Sequence, residues 1–345
     1  ISYMFPIIVS IIFEDGALGI FVKTLISVTS IGIIGLLLTR NIKNDLSQKD
    51  GFVIIVMFWV ILSLAGSIPF YLSGMSVIDS FFESMSGITT TGATVISNID
   101  ALPESLLFYR QLLQWMGGMG LIVLAIAVMP LLGIGGGQIY KTEIPGAMGE
   151  QKLTPRIKET AQALWLIYLG LTILCALLYY ISGMSTFDAI SHSMSTVAIG
   201  GFSTHDESIG FFNSFSIELI CMIFMLLSAF SFTLHYFALY KKKPLKYLYD
   251  PELRFFLGVI TLIFILAIII SASSNKVTSI EIKDIAFHTV SMITTTGFTV
   301  SDSSDWPFSI SFLLLVGAFI GACSGSVGGG VKSWRVMIMI NHAYL

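Results

Sequence analysis

Three short segments of this chain place the same residue types in the same order, and the chemistry they could support lies in the main chain. Ser76–Ile96 (SVIDSFFESMSGITTTGATVI), Ser185–His205 (STFDAISHSMSTVAIGGFSTH) and Glu281–Ser301 (EIKDIAFHTVSMITTTGFTVS) align without a gap. Asp79, Asp188 and Asp284 stand at one common offset before Gly92, Gly201 and Gly297, and Ser86, Ser195 and Ser291 share a second. A similar pair follows each glycine: Ala93-Thr94, Phe202-Ser203 and Phe298-Thr299. Repetition in register marks copies of one structural unit.

Each copy reads as a half-length helix feeding an irregular stretch. Ser76-x-x-Asp79 and Ser185-x-x-Asp188 are helix-start signatures, and Glu281 replaces the serine in the third copy. The three aspartates are therefore read as helix-start residues, not ion ligands. The helix then runs into Thr89-Thr90-Thr91-Gly92, Val197-Ala198-Ile199-Gly200-Gly201 or Thr294-Thr295-Thr296-Gly297. Its partially negative C-terminal end favours a cation. Irregular backbone at membrane depth is tolerable where it lines a wet cavity. Glycine permits φ > 0 there, so consecutive carbonyls can turn inward, and rings of inward carbonyls replace the hydration shell of K⁺. Ordinary Gly/Thr turns between helices would account for one copy, but poorly for three in register.

Such segments need a membrane around them, and the composition supplies one. Of the 345 residues, 55% are hydrophobic and 11% are charged, against roughly 25% charged in soluble chains; mean hydropathy is +0.87. These values exclude a water-soluble globule. A net charge of −3 leaves no basic footprint for nucleic acid. The 3 cysteines, Cys175, Cys221 and Cys323, lie in apolar runs, which argues against a disulfide framework or a cysteine zinc site. Stretches free of acidic and basic residues at 52–78, 111–140, 160–187, 219–240, 255–275 and 306–331 predict spans. Residues 24–39 are a shorter candidate, and 1–13 read as the tail of another.

Most basic residues fall in three loops: Arg40, Lys43 and Lys49; Lys141, Lys152, Arg156 and Lys158; and Lys241, Lys242, Lys243, Lys246 and Arg254. Arg110, Lys276 and Lys283 are assigned to the alternate loops, with Lys23 near an outer end. The positive-inside rule places the first three loops in the cytoplasm. Each unit is then span, re-entrant segment, span. Copies that return to the same side are related by an axis along the membrane normal, and parallel copies around one axis make a pore. The predicted fold is an all-α polytopic membrane protein of parallel helix–pore loop–helix repeats around a central ion pore. Its predicted parts are an accessory helix pair at 1–48, with its first helix truncated, and pore repeats at 49–150, 151–250 and 251–345.

Gly321, Gly325, Gly328, Gly329 and Gly330 interrupt the last apolar run, at about 1 kcal/mol each relative to Ala in a helix. The reading is a flexible intramembrane gate formed by Gly325, Ser326, Gly328, Gly329, Gly330 and Lys332; the alternative is close helix packing through small residues. Val331 separates Gly330 from Lys332, so this is no phosphate loop, and Gly321-Ala322-Cys323-Ser324-Gly325 lacks the strand a nucleophile elbow needs. Lys332 and Arg335 either shape an inner vestibule or snorkel to the interface. Asp100, Glu104, Asp206, Glu207, Asp302 and Asp305 follow the three segments, as cation-enriching groups at the mouth or as a solvated polar loop. His192, His235 and His288, read as lying at unrelated offsets, fit helix packing or hydrogen bonding better than metal ligation. Glu218 is the acidic residue read inside a main span.

FYRQLLQWMGGMG (108–120), PLLGIGG (130–136), TPRIKETAQALW (154–165), IGGFSTHD (199–206) and GACSGSVGGGVK (321–332), with the three segments, resemble the Trk/Ktr/HKT superfamily of potassium transporters, in particular its bacterial Trk branch. The resemblance spans essentially the whole chain. It implies four pore repeats preceded by an extra helix pair, so a fourth repeat is expected to be missing from this sequence. It also implies a multi-pass protein of the bacterial inner membrane, a homodimer, and a cytosolic nucleotide-binding (TrkA-like) regulatory subunit. The implied selectivity filter is Thr90, Thr91, Gly92 and Ala93; Ile199, Gly200, Gly201 and Phe202; and Thr295, Thr296, Gly297 and Phe298, with K⁺ as substrate and no covalent cofactor. Within the superfamily a glycine in every repeat accompanies K⁺ preference, whereas serine in the first accompanies Na⁺; Gly92, Gly201 and Gly297 resemble the K⁺ pattern. The function so implied is potassium uptake without enzymatic chemistry. The alternatives are H⁺- or Na⁺-coupled symport on the same scaffold, or an intramembrane hydrolase using Cys323 or Ser324.

Overall fold

The computed structural model describes residues 2–40, 48–128, 157–273 and 281–343, apart from 303 and 305. Lys43, Lys141, Lys152, Arg156, Lys276, Asp305 and the 130–136 motif lie outside the described residues. The described part is helical. An accessory pair, α1 (Met4–Phe13) and α2 (Leu18–Thr39), is followed by three units of one plan. The first is α3 (Gln48–Leu72), the short α4 (Val77–Ile88) and α5 (Glu104–Val128). The second is α6 (Ile157–Ile181), the short α7 (Thr186–Val197) and a bent pair, α8 (Phe215–Ala229) and α9 (Phe232–Leu239). After a cytoplasm-assigned link containing α10 (Lys246–Tyr249) come α11 (Pro251–Ser273), the short α12 (Ile282–Ile293), α13 (Phe308–Ile320) and α14 (Ser333–Ala343).

In each unit the short helix packs against the long helices on either side of it. Units also interlock in sequence, α7 resting on α5 and α12 on α8. Three apolar clusters hold this together. One joins Tyr168, Cys175, Tyr179, Cys221, Phe224 and Phe298; a second joins Phe256, Ile263, Ile293, Ile310 and Cys323. The third packs Tyr3 and Phe21 of the accessory pair against Phe70 and Tyr109. The outer surface is apolar as well, with Ile31, Leu36 and Leu38 largely exposed. Charged Glu83, Arg110 and Glu252 are buried instead. This inversion of the soluble pattern suits a protein whose solvent is lipid.

Several expected spans are redrawn. Among the described residues, four helices are long and apolar enough to cross a membrane, or five if the bent pair counts as one span. The 219–240 run is not one helix: it turns by 95° between α8 and α9. The 306–331 run ends as helix at Ile320 and continues as the Gly-rich loop. The 52–78 run ends at Leu72, and the 1–13 run forms only ten helical residues. Arg110, assigned above to an outer loop, lies inside α5 and is fully buried. A window that counts apolar residues sees no partner for a charge and so expels it from the helix.

Candidate functional site

The three short helices start as their caps dictate. Ser76 Oγ accepts the Asp79 N–H (3.1 Å) and Ser185 Oγ accepts the Asp188 N–H (3.0 Å). In the third, Glu281 makes no side-chain cap. Past the helix ends the backbone alternates in hand identically in all three copies. Thr90, Ile199 and Thr295 have φ of 54°, 53° and 67°; two residues on, Gly92, Gly201 and Gly297 have φ of 76°, 79° and 86°. Left-handed backbone at a β-branched residue is a true outlier, and such strain collects at functional sites. Here it recurs at one register position. The bonds enforcing it recur too. Thr90, Ile199 and Thr295 donate their N–H to Gly87, Thr196 and Met292, and Thr91, Gly200 and Thr296 donate theirs to Ser86, Ser195 and Ser291. Alternating hand keeps successive carbonyls on one side of the strand, the arrangement that can surround an unhydrated cation.

The segments meet edge to edge. A Cβ on Gly92 would overlap the Gly200 carbonyl oxygen, and one on Gly201 would overlap the Thr296 carbonyl oxygen. Both positions thus need glycine for conformation and for closeness. Some carbonyls are taken from behind: Ser86 Oγ donates to Ala93 O (2.6 Å) and Ser291 Oγ to Phe298 O (2.7 Å). The second copy differs because Gln114 of α5, fully buried, reaches into it. Its Nε2 donates to Gly200 O (2.6 Å), while its Oε1 accepts from Ser195 Oγ (2.7 Å) and the Phe202 N–H (3.2 Å).

A second buried post stands beside it. Arg110 Nε donates to Glu83 Oε1 at 2.8 Å with both side chains wholly buried. Its other nitrogens donate to Ser203 O (3.0 Å) and Thr94 Oγ1 (3.2 Å), and its guanidinium lies 4.3 Å from the Phe202 ring centre. One cation therefore joins the exits of the first and second segments. Glu83, His192 and His288 occupy the same position in their short helices, correcting the view that the histidines are scattered. Thr94 Oγ1 donates to Glu83 (2.9 Å), and His192 Nε2 pairs with Ser203 Oγ (2.9 Å). His192 and His288 each also set Nδ1 against the carbonyl four residues back. His235 pairs with Tyr247 OH and Leu227 O.

Beyond the segments, acidic residues read as cation-enriching groups at the mouth or as a solvated polar loop bind neighbouring loops. Asp206 Oδ1 accepts the Ile99 N–H (2.9 Å), and Asp100 accepts the Asp206 N–H (3.1 Å) and faces His205 Nδ1 at 2.6 Å. His205 stacks on Phe211 at 3.5 Å, and its Nε2 lies 3.4 Å from Asp188. Asp188 also accepts from Thr204 Oγ1 (2.7 Å), so it does more than start a helix. Burial opposes charging of His205, but Asp188 and Asp100 outweigh it and raise its pKa. Burial likewise opposes ionisation of Asp100, yet bonds from His205 and the Asp206 backbone hold its pKa low. Asp302 accepts the Ser304 N–H (2.8 Å).

On the other side, the Gly-rich loop folds back beneath the third segment. The Gly329 N–H donates to Thr295 Oγ1 (2.7 Å), and Lys332 Nζ donates to the carbonyls of Ser326 (3.4 Å) and Gly328. The loop also fills the α8/α9 break, the Cys323 N–H donating to Ala229 O (3.1 Å) and the Phe232 N–H to Gly325 O (2.9 Å). Cys323 is buried, and Ser324 Oγ is buried without a hydrogen-bond partner.

A family model described as a cation transport protein, TrkH, matches residues 19–344. The chain is 50% identical over 339 residues to the Trk system potassium uptake protein TrkH of Halomonas elongata, covering 97% of this chain and 70% of that protein. It is 45% identical over 344 residues to TrkH of Escherichia coli, covering 98% and 71%. The crystal structure of the potassium transporter TrkH from Vibrio parahaemolyticus superposes with a TM-score of 0.86 at 46% identity, covering 98% of this chain and 70% of that one.

Proposed function

The chain belongs to the TrkH family of cation transport proteins, and from that premise we propose that it takes up potassium across the bacterial cytoplasmic membrane through the aperture where its three left-handed segments meet. K⁺ is the substrate, and no covalent chemistry is invoked. The ion is held by main-chain oxygens of Thr90–Gly92, Ile199, Gly201 and Thr295–Gly297, while Gly200 shapes the second segment with its own oxygen held by Gln114. Ala93, Phe202 and Phe298 close each segment, two of them with carbonyls tied back by serines. One observation carries this reading: φ alternates identically at equivalent positions of three touching segments. Dehydrating K⁺ requires oxygens already aimed at the ion, and strain at Thr90, Ile199 and Thr295 is what such aim costs.

The parts follow from this assignment. Residues 49–150, 151–250 and 251–345 act as pore repeats, with 1–48 as an accessory pair. Gly325, Ser326, Gly328, Gly329, Gly330 and Lys332 form the gate, supported by the Gly329–Thr295 bond directly below a filter residue. A homodimer and a TrkA-like cytosolic subunit complete the assembly. Complementation of a potassium-uptake-deficient bacterium is the primary test: the parent restores growth on low K⁺, and Gly92→Ser or Gly201→Ser abolishes it. Growth unaffected by both substitutions refutes the filter. Purified protein in liposomes then separates the modes, because Rb⁺ flux that persists without proton or sodium gradients is passive, and flux that needs one is coupled symport.

A further inference from the structure

We propose that Glu252 is the latch of the Gly-rich loop: a positioning residue whose carboxylate ties both limbs of the loop to α11 and holds it across the conduction path. This rests on the transport reading above. Glu252 lies in the first turn of α11 and is 5% exposed. Its Oε1 accepts the Ser324 N–H at 2.5 Å, where the loop leaves α13, and the Trp334 N–H at 3.2 Å, where the chain resumes as α14. The Trp334 N–H is one of the donors that a helix start leaves without an intrahelical partner. A carboxylate there also meets the positive end of the α14 dipole. One oxygen on a separate helix thus closes the loop into a ring around Gly325, Gly328, Gly329 and Gly330.

The geometry separates this latch from the contacts that shape the loop. The loop's own folds are internal: the Val331 N–H donates to Phe319 O (2.9 Å), the Ser333 N–H to Ala322 O (3.0 Å), and Ser333 Oγ to Gly321 O (2.9 Å). Its ties to the α8/α9 break are main-chain bonds that survive any side-chain change. Glu252 supplies a side-chain acceptor from outside, shared by both limbs. It also sits next to the basic link Lys241–Lys246 and the Asp250 cap, whose Oδ1 accepts the Leu253 N–H. A displacement of that link on the cytoplasmic side would reach both limbs of the loop through Glu252, alongside the main-chain tie from α9 to Gly325. No sequence window marked Glu252, because on a charge count the apolar run begins only after Arg254.

The test uses full-length protein in liposomes without any cytosolic subunit, with two readouts. One is Rb⁺ flux; the other is maleimide labelling of native Cys323, 1% exposed and beside Ser324. Cys175 and Cys221 are fully buried elsewhere, and Cys323→Ala controls for them. Glu252→Ala and Glu252→Asp, the second keeping the charge but losing reach, are expected to raise flux and labelling roughly tenfold, as for loss of a hydrogen bond to a charged acceptor. Glu252→Gln keeps reach and an acceptor oxygen but loses the charge, and is expected to fall between the parent and Glu252→Ala. If Glu252→Ala does not fold, Glu252→Asp carries the test. Parental flux and labelling in Glu252→Asp, or release in Glu252→Gln equal to that in Glu252→Ala, overturns the latch while leaving the transport reading intact. A parent that carries no Rb⁺ overturns both.

Discussion

Substituting Glu83 by glutamine puts the buried support of the filter to a quantitative test. Glu83 and Arg110 are both inaccessible to solvent and 2.8 Å apart. In Glu83→Gln the guanidinium keeps the Ser203 carbonyl at 3.0 Å, the Thr94 hydroxyl at 3.2 Å and the Phe202 ring, but loses its counter-ion. Removing one member of a buried ion pair costs about 3–5 kcal/mol, because the other charge stays desolvated and unpaired. Against a typical folding free energy of about 5–15 kcal/mol, that is a large fraction. Arg110→Met should cost a similar amount by stranding Glu83. Removing both charges leaves mainly the unpaired Ser203 carbonyl, worth about 1–3 kcal/mol. The double variant should therefore be more stable than either single one, a non-additivity of about 2 kcal/mol or more in a double-mutant cycle. Detergent-solubilised protein followed by unfolding midpoint supplies the free energies, and growth on low K⁺ supplies function. Single variants that each lose under about 1 kcal/mol, the value for a solvated pair, would show that water reaches this site and refute the argument.

Gly201→Ala adds a Cβ that overlaps Thr296 O at a φ of 79°; K⁺ uptake should be lost even where folded protein accumulates, as read by transport per molecule in the membrane. Gln114→Leu keeps the volume but strands Gly200 O, the Phe202 N–H and Ser195 Oγ, at about 1–3 kcal/mol for each buried group; K⁺ over Na⁺ discrimination should fall in competition flux, and unchanged selectivity would remove Gln114 from the filter's support. Because the pKa of His205 is raised in the fold, its contribution is complete below the unfolded value of about 6.5 and is lost as pH rises through the folded value. The unfolding midpoint should therefore drop on going from mildly acidic to alkaline buffer, and His205→Gln should flatten that part of the profile.

Features with local causes were legible in the chain. The starts of α4 and α7 follow from a serine three residues before an aspartate, since a cap needs only its own turn. The repeat was visible because each unit must carry its own helix and filter stretch. Gly92, Gly201 and Gly297 could be named, because glycine is the residue that tolerates φ > 0. Thr90, Ile199 and Thr295 could be placed beside them but not assigned their left-handed backbone. β-Branched residues avoid it alone, and neighbouring hydrogen bonds impose it here.

What escaped the linear reading lies between units. The partner of Arg110 is 27 positions away and that of Gln114 is 86, so hydropathy treated the first as an outer-loop charge and had no use for the second. The break at Phe230–Ser231 has no proline or glycine to announce it; it exists where Cys323 and Gly325 pair with the main-chain groups it frees. Glu252 had no role in the linear reading, because its partners Ser324 and Trp334 lie 72 and 82 positions away. Sequence by itself determined the membrane, the threefold repetition and the glycines, because burial in lipid, helix capping and φ > 0 are settled within a few residues. Tertiary structure alone decided which carbonyls face one another and which buried side chains hold them, because a charge or amide deep in a membrane is stable only where distant segments supply its partners.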